Sequence, residues 1–320
     1  MKALGNHIAQ SDSGSISVVI DGNNNVINIK DKHCIPLQRP RNVEYFTGRE
    51  QVLSELINDL ISGKVITLCG PGGIGKSAIA AKAIWELAPI NIPCERFPDG
   101  LLWHDFYIEP QSIKALENIA ISYNEAPTSS PTEAVKRIMA DKKALVLLDG
   151  AEEADNLFQI INVLSSCCIL VTTRNKKDAY AKRIDVQALP LNQAEKLFQK
   201  WSNGIDDKIA VKKICKLTGR LPLAIRLAGR YIFETGEPIN EFLADLEKIP
   251  LEVLNQGNRK HESIQVLIEK SLDQVSDNAI KILEIAGSLS FALFNKKLIQ
   301  YAIPENLLII IIVQLRFFMA

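Results

Sequence analysis

No charge of either sign is in excess: 37 Lys and Arg face 37 Asp and Glu across 320 residues. Nucleic-acid binders usually carry a basic surplus, so that partner is not expected. None of the six cysteines (Cys34, Cys69, Cys94, Cys167, Cys168 and Cys215) falls in a Cys-x-x-Cys pair. The four histidines, His7, His33, His104 and His261, are too scattered for a ligand spacing. No metal or disulfide framework is legible, and several cysteines lie inside apolar runs. They read as buried thiols of a cytoplasmic protein. The first apolar residues are scattered among Gly, Asn, Ser and Asp, so no secretory leader is expected. Near the end, Leu307–Val313 is continuously apolar but too short to span a bilayer, and no membrane is expected. That run reads as a core helix or strand cut off from its partners, as in a piece of a longer chain.

About half of the residues are apolar, enough for a sizeable core. Residues 1–34 are rich in Gly, Ser and Asn. Ile16, Val18 and Ile20 alternate before Asp21-Gly22-Asn23, and Ile27 and Ile29 alternate after it, which predicts a β-hairpin-like arm. It reads either as an arm packed on the main domain or as a self-associating segment. Residues 34–42 are a proline-broken linker. A helix starting at Thr47 or Gly48 would bury Val52, Leu53, Leu56, Ile57 and Leu60.

Strands and helices then alternate. Strands are expected at 64–69, 100–108, 144–149, 167–173 and 184–189. Helices are expected at 76–87, 112–122, 132–140, 152–164 and 176–181. That order predicts an α/β fold with a parallel sheet covered by helices on both faces. From 191 only helical periods appear. Asn192 with Glu195 resembles a capping box. Helices are expected near 206–217, 223–233, 239–247, 262–274 and 277–287. The expected division is an N-terminal segment (1–34), a nucleotide-binding domain (35–190), a helical domain (191–260) and a final domain (261–320).

The most informative stretch is Gly70-Pro71-Gly72-Gly73-Ile74-Gly75-Lys76-Ser77-Ala78. It satisfies G-x4-G-K-S, with a strand before it and a helix after it. Backbone amides of such a loop can wrap a phosphate, and the helix N-terminus adds its positive end. Lys76 would set a cation against the β- and γ-phosphates. Ser77 offers a hydroxyl to Mg²⁺. Asp149 ends the apolar strand "ALVLL" and would complete the metal site. Gly150 stands where many phosphate-cleaving enzymes carry a second acid. Glu152 and Glu153 are near; they read either as acids beginning a helix or as a replacement base. Arg174 follows another buried strand, where it reads as a γ-phosphate sensor or as a surface arginine.

The segments "FTGRE", "GPGGIGKS", "LVLLD", "ILVTTR" and "GRLPLAI", in that order, resemble the NB-ARC group of STAND-class P-loop ATPases. The resemblance spans roughly residues 40–300. It implies a P-loop NTPase sheet, a small helical domain and the start of a winged-helix domain from about 262. It implies ATP or ADP with Mg²⁺ as cofactors and a signalling switch that hydrolyses slowly at most, coupled to domain rearrangement or homo-oligomer assembly with a protein partner. By the same resemblance Phe46 and Arg49 lie near the base, Pro222 packs near it, Lys76, Asp149 and Arg174 carry the chemistry, and Ser77 and Asp149 hold the metal. The second acid is missing, and the histidine of the family's winged helix has no match. A nucleotide binder without switching, or a fragment of a winged-helix transcriptional regulator, are the alternatives.

Overall fold

The computed structural model describes residues 35–90, 92–126 and 130–247. The expected N-terminal arm, the winged-helix start and the Leu307–Val313 run lie outside these residues.

Five parallel strands form one sheet: β1 (Val65–Cys69), β2 (Gly100–Asp105), β3 (Ala144–Asp149), β4 (Cys168–Thr173) and β5 (Lys182–Asp185). The order across the sheet is β2-β3-β4-β1-β5. β4 therefore sits between β1 and β3, pairing Cys69 with Thr173 on one side and Leu148 with Val171 on the other. The loop after β1, the end of β3 and the end of β4 are neighbours along the carboxyl edge.

β3 and β4 are buried at every position, which explains their unbroken apolar sequences. Alternate residues feed opposite faces. Ile66, Leu68, Leu145, Leu147 and Leu170 join one core with helices α1 (Glu50–Asp59) and α2 (Lys76–Leu87). Leu102, Val146, Leu148, Ile169 and Val171 join the other, under α3 (Ser112–Ser122), α4 (Pro131–Met139) and α5 (Leu157–Val163). The first core continues into α6 (Leu191–Trp201), α7 (Lys208–Leu217), α8 (Pro222–Thr235) and α9 (Ile239–Glu247). The linker is not loose: Leu37 bridges Leu101, with Gln38 N–H donating to the Leu101 carbonyl at 2.8 Å.

Several boundaries differ from expectation, each for a local reason. β2 stops at Asp105, because its carboxylate accepts the Tyr107 N–H at 2.9 Å and its carbonyl accepts those of Ile108 and Glu109. The helix expected over 152–164 is two pieces. A 3-10 turn spans Ala151–Glu153, and α5 begins afresh where the Asn156 side chain accepts the Gln159 N–H. The helix expected over 176–181 is a 3-10 turn at Lys176–Asp178, and Ala181 has φ 50°. β5 lies at 182–185 rather than 184–189. The apolar pattern of Val186 and Leu189 reports burial, not pairing. α6 starts directly after Pro190, so the Asn192–Glu195 capping box does not form.

Asp207 does cap: its carboxylate accepts the N–H groups of Ile209 and Ala210 at 3.1 and 3.0 Å. We expect Asp207→Ala to cost about 1 kcal/mol in chemical denaturation. A midpoint equal to that of the unaltered protein would count against this cap.

Of the cysteines, Cys69, Cys167, Cys168 and Cys215 are buried and Cys94 half-buried, all as free thiols. Burial pushes the Cys168 and Cys215 thiols up to about 12, so both are inert as nucleophiles at neutral pH. Among the described residues, no helix is long and apolar enough to cross a membrane.

Candidate functional site

The segment from Gly70 to Gly75 turns out of β1 and into α2. Gly75 caps α2 with φ 98°, a conformation an L side chain rarely adopts. The loop and the first turn of α2 thereby lie at the sheet's carboxyl edge. A β-carbon on Gly75 would reach 3.6 Å from Pro222 Cγ. The Leu223 N–H, in the first turn of α8, donates to the Gly73 carbonyl at 3.3 Å. The loop is therefore bracketed by the sheet on one side and by α8 on the other.

Lys76 is 6% exposed, an uncommon burial for an ammonium group. Its Nζ donates to the carbonyls of Gly70 (2.9 Å) and Pro71 (3.2 Å), both in its own loop. Burial holds its pKa below the ordinary lysine value, while the carboxylates of Glu152 and Asp149 pull the other way. A desolvated cation without a contacting carboxylate is suited to an incoming anion.

The Ser77 hydroxyl donates to Asp149 Oδ1 at 2.8 Å. The Thr172 hydroxyl also donates to that oxygen, and itself accepts the Gly150 N–H at 3.0 Å. One hydroxyl and one carboxylate make a hard oxygen pair, suited to Mg²⁺ completed by phosphate and water. Among the described residues there is no group of three or more metal-ligating side chains. Asp105 ends β2 in register with Asp149, and burial followed by the charge of Asp149 raises its pKa.

Arg49 is 8% exposed. Its guanidinium donates to the carbonyls of Ile74 and Gln187, and its Nε has no hydrogen-bond partner. Burial lowers its pKa. It pins the phosphate loop to the strand-to-helix connection after β5 and leaves one buried donor unused. The Ile74 side chain is in the core, so that residue offers its backbone to the loop. Phe46 is half-buried against the core and lines a groove with Tyr45, Leu53, Ile57 and Lys82.

Arg174 lies over the loop: a β-carbon on Gly72 would be 3.5 Å from its Nε. That Nε is 3.0 Å from Glu152 Oε1, and the Arg174 backbone N–H donates to Glu152 Oε2 at 3.0 Å. The Tyr107 hydroxyl donates to Glu152 Oε1 at 2.5 Å. Arg174 also lies over the Tyr107 ring, 5.3 Å from its centre.

Gly150 is not simply a lost acid. Its φ is 73°, and a β-carbon there would sit 2.5 Å from Tyr107 Cε2. The tyrosine ring fills the space a second acid would need. Glu152, which could have been an acid at the start of a helix, instead joins Arg174 and Tyr107 at the site.

The loop, Lys76, Ser77, Asp149, Arg174, Arg49 and Pro222 are thus brought together, while Phe46 faces its own groove. Thr172 and Tyr107 were not singled out in the sequence, whereas Glu152 was named there only as a helix-start acid or a replacement base. Only the paired threonines in "VTTR" offered a hint, as hydroxyls on a buried strand end.

Comparison with known proteins adds to this. A family model described as the NB-ARC domain matches residues 48–207. The regulatory protein AfsR of Streptomyces coelicolor is 27% identical over 81% of this chain and 28% of its own length. A candidate disease resistance protein of Arabidopsis thaliana is 29% identical over 66% of this chain and 28% of its own length. The chain therefore spans little more than a quarter of either relative. Among solved structures, the Drosophila ORC bound to DNA aligns with a TM-score of 0.51 and 12% identity, covering 78% of this chain and 70% of that one. That likeness speaks to the fold alone.

Proposed function

Because the chain belongs to the NB-ARC domain family, we propose that it is a nucleotide-dependent switch, holding ADP or ATP with Mg²⁺ between the phosphate loop and α8. The observation that carries this reading is the direct contact of the loop with the start of α8, through Leu223 and Gly73 and through Pro222 over Gly75. A nucleotide wrapped by residues 70–78 would touch both the sheet and the helices, so its binding energy would bias how the two are held. Ligand that binds only the closed arrangement stabilises it by about 4 kcal/mol at a thousandfold excess over Kd. Only a difference between ADP and ATP contacts can move the equilibrium.

In this reading Lys76 and the amides of the loop hold phosphate, Ser77 and Asp149 hold the metal, and Arg174 meets the γ-phosphate. Arg49 holds the loop through the Ile74 carbonyl, and on the family membership we assign it to the surroundings of the nucleotide. Bound Mg²⁺ would neutralise phosphate charge. With Gly150 covered by Tyr107, turnover is expected well below the median enzyme value of about 10 s⁻¹.

We place the helical domain at residues 191–260 and the protein in the cytoplasm, where its free buried thiols would persist. The output would be self-assembly or release of a protein partner. Light scattering on the full chain with ADP, and then with a non-hydrolysable ATP analogue, tests this. A change in mass or radius between the two is expected. Identical particles that nonetheless bind both nucleotides would leave a binder without a switch. The name of the AfsR relative favours a regulatory role. Direct DNA binding would show as salt-dependent retention on DNA, which the balanced charge argues against.

A further inference from the structure

The Tyr107–Glu152–Arg174 cluster is more than the expected sensor arginine. We propose that Glu152 sets the nucleotide preference of this chain, favouring a nucleoside diphosphate by occupying Arg174 and opposing the charge of a third phosphate. The inference rests on the switch reading and specifies its regulation.

Glu152 is held at three points: the Arg174 guanidinium, the Arg174 backbone N–H and the Tyr107 hydroxyl. Its side chain is only 11% exposed, whereas that of Arg174 is 54% exposed. The carboxylate is thus the fixed member of the pair and the guanidinium the movable one. The half-exposed Tyr107 ring lies against Gly150 while its hydroxyl meets Glu152, so the space a second acid would need and the contacts of Glu152 share one side chain. Arg174 lies beside Gly72, at the lip of the loop. Because Arg174 Nε lies both 3.0 Å from Glu152 Oε1 and beside Gly72, the Glu152 carboxylate stands at the phosphate end of the site.

A diphosphate held by the loop and Lys76 leaves the Glu152–Arg174 pair intact. A triphosphate must draw Arg174 away, and it then faces a carboxylate that has lost its guanidinium partner. Like charges at short range in a partly buried site repel. An exposed guanidinium gains little from its resting pair, so the exchange stays reversible.

The experiment measures the affinities of the full chain for Mg-ADP and for a non-hydrolysable Mg-ATP analogue, by calorimetry. We expect Glu152→Gln to raise the affinity for the triphosphate relative to ADP by about tenfold. Its ADP affinity should stay within about twofold. Tyr107→Phe, which keeps the ring but loses the hydroxyl, should shift the ratio in the same direction by less. Thermal melts of both variants check that the fold persists. An unchanged ratio in Glu152→Gln overturns the proposal, as does a parallel change in both affinities. Loss of ATP turnover with the ratio unmoved would assign Glu152 to handling water and overturns it as well. If the unaltered protein binds neither nucleotide, the switch reading falls first and this inference with it.

Discussion

Lys76→Ala is expected to remove nucleotide binding while leaving the protein folded. The ammonium group is buried and, among the described residues, donates to the carbonyls of Gly70 and Pro71 alone. Truncating one partner of a buried charge pair costs about 3 kcal/mol or more, equivalent to about a hundredfold or more in Kd. Folding is affected far less. The variant loses two bonds to carbonyls but also sheds a desolvated cation, so its melting free energy should stay within about 1 kcal/mol of the original. Titration with a fluorescent ADP analogue reads the first effect and a circular-dichroism melt the second. Added ADP should raise the melting temperature of the unaltered protein and leave that of the variant unmoved. Near-normal affinity in Lys76→Ala would remove the phosphate cradle from the account.

Gly150→Ala should destabilise the protein by about 1–3 kcal/mol, combining a strained left-handed backbone with a displaced Tyr107 ring. The new methyl would stand 2.5 Å from the half-exposed Tyr107 ring, which must swing outward and give up its bond to Glu152. Adding Tyr107→Ala should relieve the contact but not the backbone, recovering about half of the loss. Denaturant midpoints decide the matter. Equal stability of Gly150→Ala and the original would mean that Tyr107 does not occupy this space. Restoring a second acid at position 150 would meet the same obstruction, so it is not expected to create a fast hydrolase.

The sheet was legible because strands buried on both faces read as solid apolar runs, as in "ALVLL" and "CILV". The phosphate loop was legible because its glycines, lysine and serine form a fixed pattern between a strand and a helix. β5 was placed too late, since its residues Lys182–Asp185 are largely exposed and polar while the apolar residues follow it. Glu152 was legible as a helix-start acid or replacement base, but its contacts with Arg174 and Tyr107 were not. The Tyr107 contact depends on a turn made by Asp105, far away in sequence, that brings Tyr107 over Gly150. Arg49 was legible as a site residue only by resemblance, because its partners are backbone carbonyls of Ile74 and Gln187, which carry no side-chain signature.

Calorimetric titration of the full chain with Mg-ADP tests the central claim most directly. One equivalent should bind, with backbone amides at Gly70–Ser77 and in the first turn of α8 becoming slower to exchange with deuterium. Absence of binding at millimolar ADP, or binding that leaves both segments exchanging as before, would contradict the account.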